Sequence, residues 1–269
     1  MKPRAAVPLA AFQRLLWGCG RIALRVDQQR GVSVDDDVKA MTRWRRGLEL
    51  DWAFDLVAVD VDVRSRALQR HEATKEACWA AQQQVDSLAA EAGTPRPVEP
   101  HLAARMDQLH AAVADANQYL LMSVVADWTS VHTFREDEEG LRFVLLYLLW
   151  EANYPGEWEK SWRTKNTVLR RLGHLAEYPT PLRDQLRSLV MGAVSRAHRC
   201  EDQGYVHVAR AVTDPDLRAA LERARGQADR SGAARRAAFM LFMLDRPSLA
   251  VTRHVWRRWL STYDDADDV

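Results

Sequence analysis

Eight histidines, three cysteines and 37 carboxylates give this 269-residue chain ample material for chemistry, and their spacing decides which kinds. His71-Glu72-Ala73-Thr74-Lys75 begins like HExxH but ends in lysine, whose ammonium cannot replace a second imidazole on zinc. Cys19, Cys78 and Cys200 stand far apart, with no CxxC pair, so they read as reduced thiols. Asp35, Asp36 and Asp37 follow Ser33 in what reads as a first helical turn, where negative charge complements the helix dipole. With Asp60 and Asp62 they are the acidic runs a magnesium site would need, but the dipole explains them first. His174 and Glu177 form a single HxxE, read as a surface pair. There is no GxxxxGK phosphate loop and no GxSxG elbow, and Gly18-Cys19-Gly20 lacks a third glycine. No metal and no cofactor is expected.

One repeated spacing remains. Arg66-Ala67-Leu68-Gln69-Arg70-His71 and Arg105-Met106-Asp107-Gln108-Leu109-His110 both spell R-x4-H. That spacing resembles the catalytic motif of HEPN-type ribonucleases, which are helical and metal-independent. The resemblance covers twelve residues. It implies His71 and His110 as acid/base groups and Arg66 and Arg105 as phosphate clamps. His71 also falls on an apolar helix seam, where a packed role is the competing reading.

Residues suited to binding are more numerous. Arg43, Arg45 and Arg46 surround Trp44, and Arg257 and Arg258 lie between Trp256 and Trp259. Basic residues interleaved with aromatics can grip phosphates and stack on bases, or else form a solvated face beside core tryptophans. Arg163, Lys165, Arg170 and Arg171 extend the basic set. Trp79 stands off the seam of its helix, so it either anchors a partner or packs on the body of the protein.

The elements that must position these residues are helices. Glycine and proline are sparse, at 12 and 10 residues, and the punctuation suits helix ends. Ser33 with Asp36 and Thr133 with Glu136 read as capping boxes. Thr180-Pro181 and Asp214-Pro215 place a cap before proline, and Ser231 and Ser248 are further caps. The pattern predicts helices near 8–29, 34–92, 98–131, 136–152, 157–177, 181–200, 205–212, 215–228, 232–245 and 248–262. Val57, Val59, Val61 and Val63 alternate with the period of a strand, but Trp44, Leu48, Trp52, Leu56, Val59 and Val63 step with the period of a helix, and the longer pattern is preferred.

Around Gly93–Pro97 the chain is expected to double back. Ala67, His71, Thr74, Cys78, Ala81, Val85, Leu88 and Ala92 repeat every 3.5 residues on average. So do Leu102, Met106, Leu109, Val113, Ala116 and Leu120. This predicts a long antiparallel, coiled-coil-like hairpin with arms near 64–92 and 98–131. An unbroken helix over 44–92 would run about 70 Å, against a radius of gyration of about 18 Å for a compact chain of this length, so either the helix breaks, near Gly47, or the hairpin tip projects beyond the body as an arm; the projecting arm is preferred.

The fold class is therefore all-α: an N-terminal helical bundle with a projecting hairpin (1–156), a basic array of short helices (157–262) and an acidic tail (263–269). Residues 157–260 carry 20 Lys/Arg against 11 Asp/Glu, although the whole chain is formally +1. The most apolar run, Leu141 to Trp150, is half the length of a membrane span and contains Arg142. It reads as a buried core helix in a cytoplasmic protein that does not engage membranes. The leading functional expectation is a non-catalytic interaction protein, an adaptor or assembly subunit with a protein partner. A nucleic-acid-binding subunit using the arginine-rich half is the alternative, and a HEPN-like ribonuclease the third. The pattern sets no oligomeric state.

Overall fold

The computed structural model describes residues 47–94, 99–130, 138–158, 162–175, 178, 180–197, 202–226 and 232–265. Among them every regular element is a helix and none is a strand, so the all-α class holds. The described residues divide into two compact units, the first ending at Trp150 and the second beginning at Glu151.

The first unit opens with a 3-10 helix, Gly47–Val57, followed by α1, Val61–Glu91. The continuous helix expected over 34–92 is corrected here, and its part before residue 47 lies outside the described residues. Asp60 adopts an extended conformation, and its carboxylate accepts from the backbone N–H groups of Asp62 at 2.9 Å and Val63 at 3.1 Å. It is thus the N-cap of a new helix. Arg64 secures the other side of the break by donating to the carbonyl of Ala58 at 2.9 Å. The four valines straddle this break, which explains why their spacing satisfied two periods, and Val59 and Val61 are left exposed.

α1 ends at Gly93, whose φ of 65° is open to glycine without strain. The Gly93 N–H donates to Ala90 O and the Thr94 N–H to Ala89 O, a Schellman closure. α2, Pro100–Gln118, begins with proline at its first position, where a missing N–H is harmless. The two helices pack through the residues that the 3.5-residue repeat singles out. Val85, Leu88 and Met106 form a buried cluster flanked by Ala89, Leu102, Leu109 and Val113. Cys78 Sγ meets Asn117 Oδ1 at 3.0 Å further along the seam, so the helices run antiparallel. The expected arm 98–131 divides after Tyr119 into α2 and α3, Leu121–Ser130. Tyr119 and Leu120 donate to the carbonyls three residues back, which tightens and ends α2.

α4, Glu138–Asn153, carries the apolar run. Every residue from Phe143 to Trp150 is buried, as expected for a core helix. No described helix is long and apolar enough to cross a membrane.

The second unit takes in the end of α4 and then α5 (Trp162–Leu172), α6 (Thr180–Ser195), a 3-10 turn (Asp202–Gly204), α7 (Tyr205–Ala211), α8 (Pro215–Arg225), α9 (Gly232–Leu244) and α10 (Arg253–Asp265). α9 is buried on nearly all sides, through Ala234, Ala237, Ala238, Phe239, Met240, Leu241, Met243 and Leu244, and forms the unit's centre. α5 and α7 approach closely at Gly173, where an added Cβ would lie 2.5 Å from the Cβ of His207. Asp214 caps α8 as predicted, accepting from Leu217 N at 2.9 Å. Ser248 does not cap the last helix. Thr252 does, accepting from Val255 N at 3.2 Å, and the helix starts five residues later than expected. Thr180 is the first residue of α6, and Ser33, Thr133 and Ser231 lie outside the described residues.

Arginines and a tyrosine finish several of these helices, because the last carbonyls of a helix lack backbone donors. Arg210 donates to the carbonyls of Met243, Arg246 and Leu249 after α9. Arg236 donates to Val194 O at the end of α6, and the Tyr178 hydroxyl to Leu172 O at the end of α5.

Candidate interaction surfaces

Titratable side chains converge at one place in the second unit. Glu151 ends the apolar run of α4, Lys165 lies on the apolar face of α5, Arg196 follows α6, and Asp202 opens the 3-10 turn before α7. Lys165 Nζ is 2.6 Å from Asp202 Oδ1 and 3.4 Å from Glu151 Oε1. Arg196 Nη2 donates to Glu151 Oε2 at 3.0 Å and to Asp202 Oδ1 at 2.7 Å. Both cations also lie over the ring of the buried Tyr205, at 5.6 and 5.8 Å. Burial alone would raise the pKa of Asp202; Lys165 and Arg196 outweigh it and hold the carboxyl below its usual range. Burial pushes the Tyr205 phenol up.

Two positive and two negative groups neutralise one another here, largely out of contact with solvent. The Lys165 side chain is 0% exposed and that of Arg196 10%. The adjoining cavity, beside Asp202 and Arg236, has a volume of about 30 Å³, enough for a single water. This network ties four segments of the unit together. It also corrects Lys165, predicted for a basic surface. Its spacing with Trp162, Leu169 and Leu172 places it on the helix's inward face, where the two carboxylates compensate its charge. The sequence reading missed Glu151, Arg196 and Asp202. A lone glutamate closing the run LLYLLW was the available signal, since a buried carboxylate demands a partner.

The surface offers a different arrangement on α1. Trp79 is 66% exposed. Glu72, Glu76, Gln83 and Asp86 are exposed too, and they step by four, three, four and three residues through Trp79. They therefore form one outward stripe opposite the seam, with the indole at its centre. Lys75 pairs with Glu72 at 3.1 Å, and Asp86 accepts from Gln82 at 2.9 Å. The repeat that defines the seam also defines this stripe, so the acidic neighbours of Trp79 were legible in the sequence although only the indole was noticed.

A second surface lies on α10. Trp256, Trp259 and Tyr263 stack along one face, with ring centroids 5.5 Å apart for the first pair and 4.7 Å for the second. Phe239 of α9 meets Trp256 edge-on at 4.7 Å and Trp259 at 5.2 Å. All three α10 aromatics stay half-buried, while Arg253, Arg257 and Arg258 of the same helix are exposed. Arg246 lies over Phe242 at 4.2 Å, at the edge of the same cluster.

The remaining predicted residues are dispersed. Arg163 and Arg170 are exposed on α5 and Arg171 is half-buried. Arg43, Trp44, Arg45 and Arg46 lie outside the described residues. The two R-x4-H sets are not brought together. His71 is 1% exposed, its ring edge-on to Trp150 at 5.1 Å and tilted against Trp52 at 6.4 Å. His110 is exposed on α2, and Arg66 and Arg105 are exposed as well. The Cys78–Asn117 and Leu88–Met106 contacts set a register in which His110 lies opposite residues near 84, about 20 Å along α1 from His71. Among the described residues no group of three or more His, Cys, Asp or Glu side chains could hold a metal ion. Comparison with known proteins gives no match to a family model, a curated protein or a solved structure.

Proposed function

We propose that this chain is a non-catalytic helical interaction protein, an adaptor or assembly subunit, that holds a protein partner through the face of α1 centred on Trp79. The observation that carries this is the two-thirds exposure of a tryptophan at the midpoint of an ordered polar stripe. An indole of about 200 Å² left two-thirds open exposes about 130 Å². At about 25 cal/mol per Å², covering it would contribute about 3 kcal/mol, the size of an interface hot spot. We take the working compartment to be the cytoplasm, which the free thiol of Cys78 suits.

The test is a photo-crosslinking side chain placed at position 79 in the protein's host, with exposed Ala219 on α8 as control. The reading predicts a discrete adduct with an identifiable protein from position 79 and none from position 219. No adduct at 79, or the same pattern from both positions, would contradict it. A nucleic-acid-binding role is the second reading, favoured by Arg253, Arg257 and Arg258 beside the half-buried tryptophans of α10. It requires binding that weakens steeply with salt.

A further inference from the structure

We infer that the partner of the Trp79 stripe is a second copy of this chain, which docks its α10 face on the stripe. This rests on the reading of α1 as an interaction face and names the occupant. Charge complementarity selects it. From residue 71 to 118 the chain carries seven carboxylates against three Lys/Arg, and Glu72, Glu76 and Asp86 share the exposed stripe with Trp79. α10 is its counterpart: three exposed arginines on the helix whose aromatics pack inward on Phe239, with no carboxylate before Asp264. An antiparallel or crossed approach would let an arginine such as Arg257 cover the Trp79 indole face, a cation–π contact that strengthens as water leaves. Glu72 and Glu76 would meet the remaining guanidinium groups.

One charge of α10 is also set against the helix's own dipole. Arg253 occupies its first turn. That end therefore carries the sign that destabilises an isolated helix, so a demand from outside the helix better explains its placement. Pairings of like surfaces fit less well, since stripe on stripe opposes carboxylates and α10 on α10 opposes arginines. The matched arrangement pairs unlike surfaces, so it closes as a reciprocal two-fold dimer or propagates as a ring or an open chain of copies.

Sedimentation of the full chain from low to high micromolar concentration tests this, at about 0.05 M and about 0.5 M salt. The expected result is a mass that rises with concentration at low salt and falls back at high salt. Trp79→Ala should weaken association at least about tenfold. The double variants Glu72→Arg/Glu76→Arg and Arg257→Glu/Arg258→Glu should each be monomeric alone and should associate when mixed in equal amounts. All of these positions are exposed, and circular dichroism checks that each variant folds. A wild-type chain that stays monomeric at low salt would overturn the inference, as would association indifferent to Trp79→Ala and to both reversals. A monomeric chain whose position-79 crosslinker captures a different protein overturns the inference while the interaction reading stands. A monomeric chain with no adduct removes both. Nucleic-acid binding lost on Arg257→Glu/Arg258→Glu in a chain that stays monomeric would assign α10 to nucleic acid instead.

Discussion

Lys165 shows how a single side chain changes meaning with its surroundings. On a surface it would be one cation among many; in the second unit it sits between Glu151 and Asp202 with no exposure. Removing one member of a buried, paired network leaves the others uncompensated, which costs about 3–5 kcal/mol. Lys165→Met is therefore expected to lower the urea midpoint steeply, whereas Arg163→Met, two residues away and exposed, should shift stability by less than about 0.5 kcal/mol. An equal, small effect from both would contradict the network's role. Acid provides a second check. Burial, with Arg210, His174 and Arg170 nearby, lowers the pKa of His207 from 6.5 to about 4. Between those values the unfolded chain binds a proton that the folded chain refuses. Stability fully present above pH 6.5 is thus lost as pH falls toward 4, and Asp202, held below 3.8, adds a further loss at lower pH. His207→Asn should remove the first loss and leave the second, as read from urea midpoints across that range.

At the scale of elements, the sequence was most legible where one period ran long and one face was buried. The seam residues Ala67, His71, Val85, Leu88 and Met106 are all buried, and the run Phe143–Trp150 fills a core helix. Helix ends were harder, because they depend on competition between local hydrogen bonds. Asp60 ends one helix and starts another by offering its carboxylate to two N–H groups, yet nothing in the hydrophobic pattern marks it. The break after Tyr119 has no glycine or proline to announce it. Ser248 and Thr252 are both cap residues by type, and Thr252 is the one that accepts from the first turn of α10. The candidate surfaces were half legible. The same repeat that placed the seam placed the acidic stripe opposite it, but the exposure of Trp79 depended on which elements cover α1, and no local pattern states that.

For the whole molecule, the surplus of basic residues after position 157 overstates the charge available to a partner. Arg196 is consumed in the buried network, Arg210 and Arg236 in closing helices, and Arg187 and Arg218 in ion pairs with Asp184, Asp214 and Asp245. Of what remains exposed, Arg253, Arg257 and Arg258 lie on α10 and Arg163, Arg170, Arg223, Arg225 and Arg246 on other elements, while Glu72, Glu76 and Asp86 share one stripe of α1 with Trp79. The account therefore assigns function to two small surfaces and assigns the buried charges to stability. Hydroxyl-radical footprinting of tryptophans in the purified chain tests that division directly. At low concentration Trp79 should oxidise far faster than the buried Trp128 and Trp150, and its rate should fall as the chain is concentrated at low salt. A Trp79 that oxidises as slowly as Trp128 in the dilute chain, or at a rate indifferent to concentration, would contradict the account.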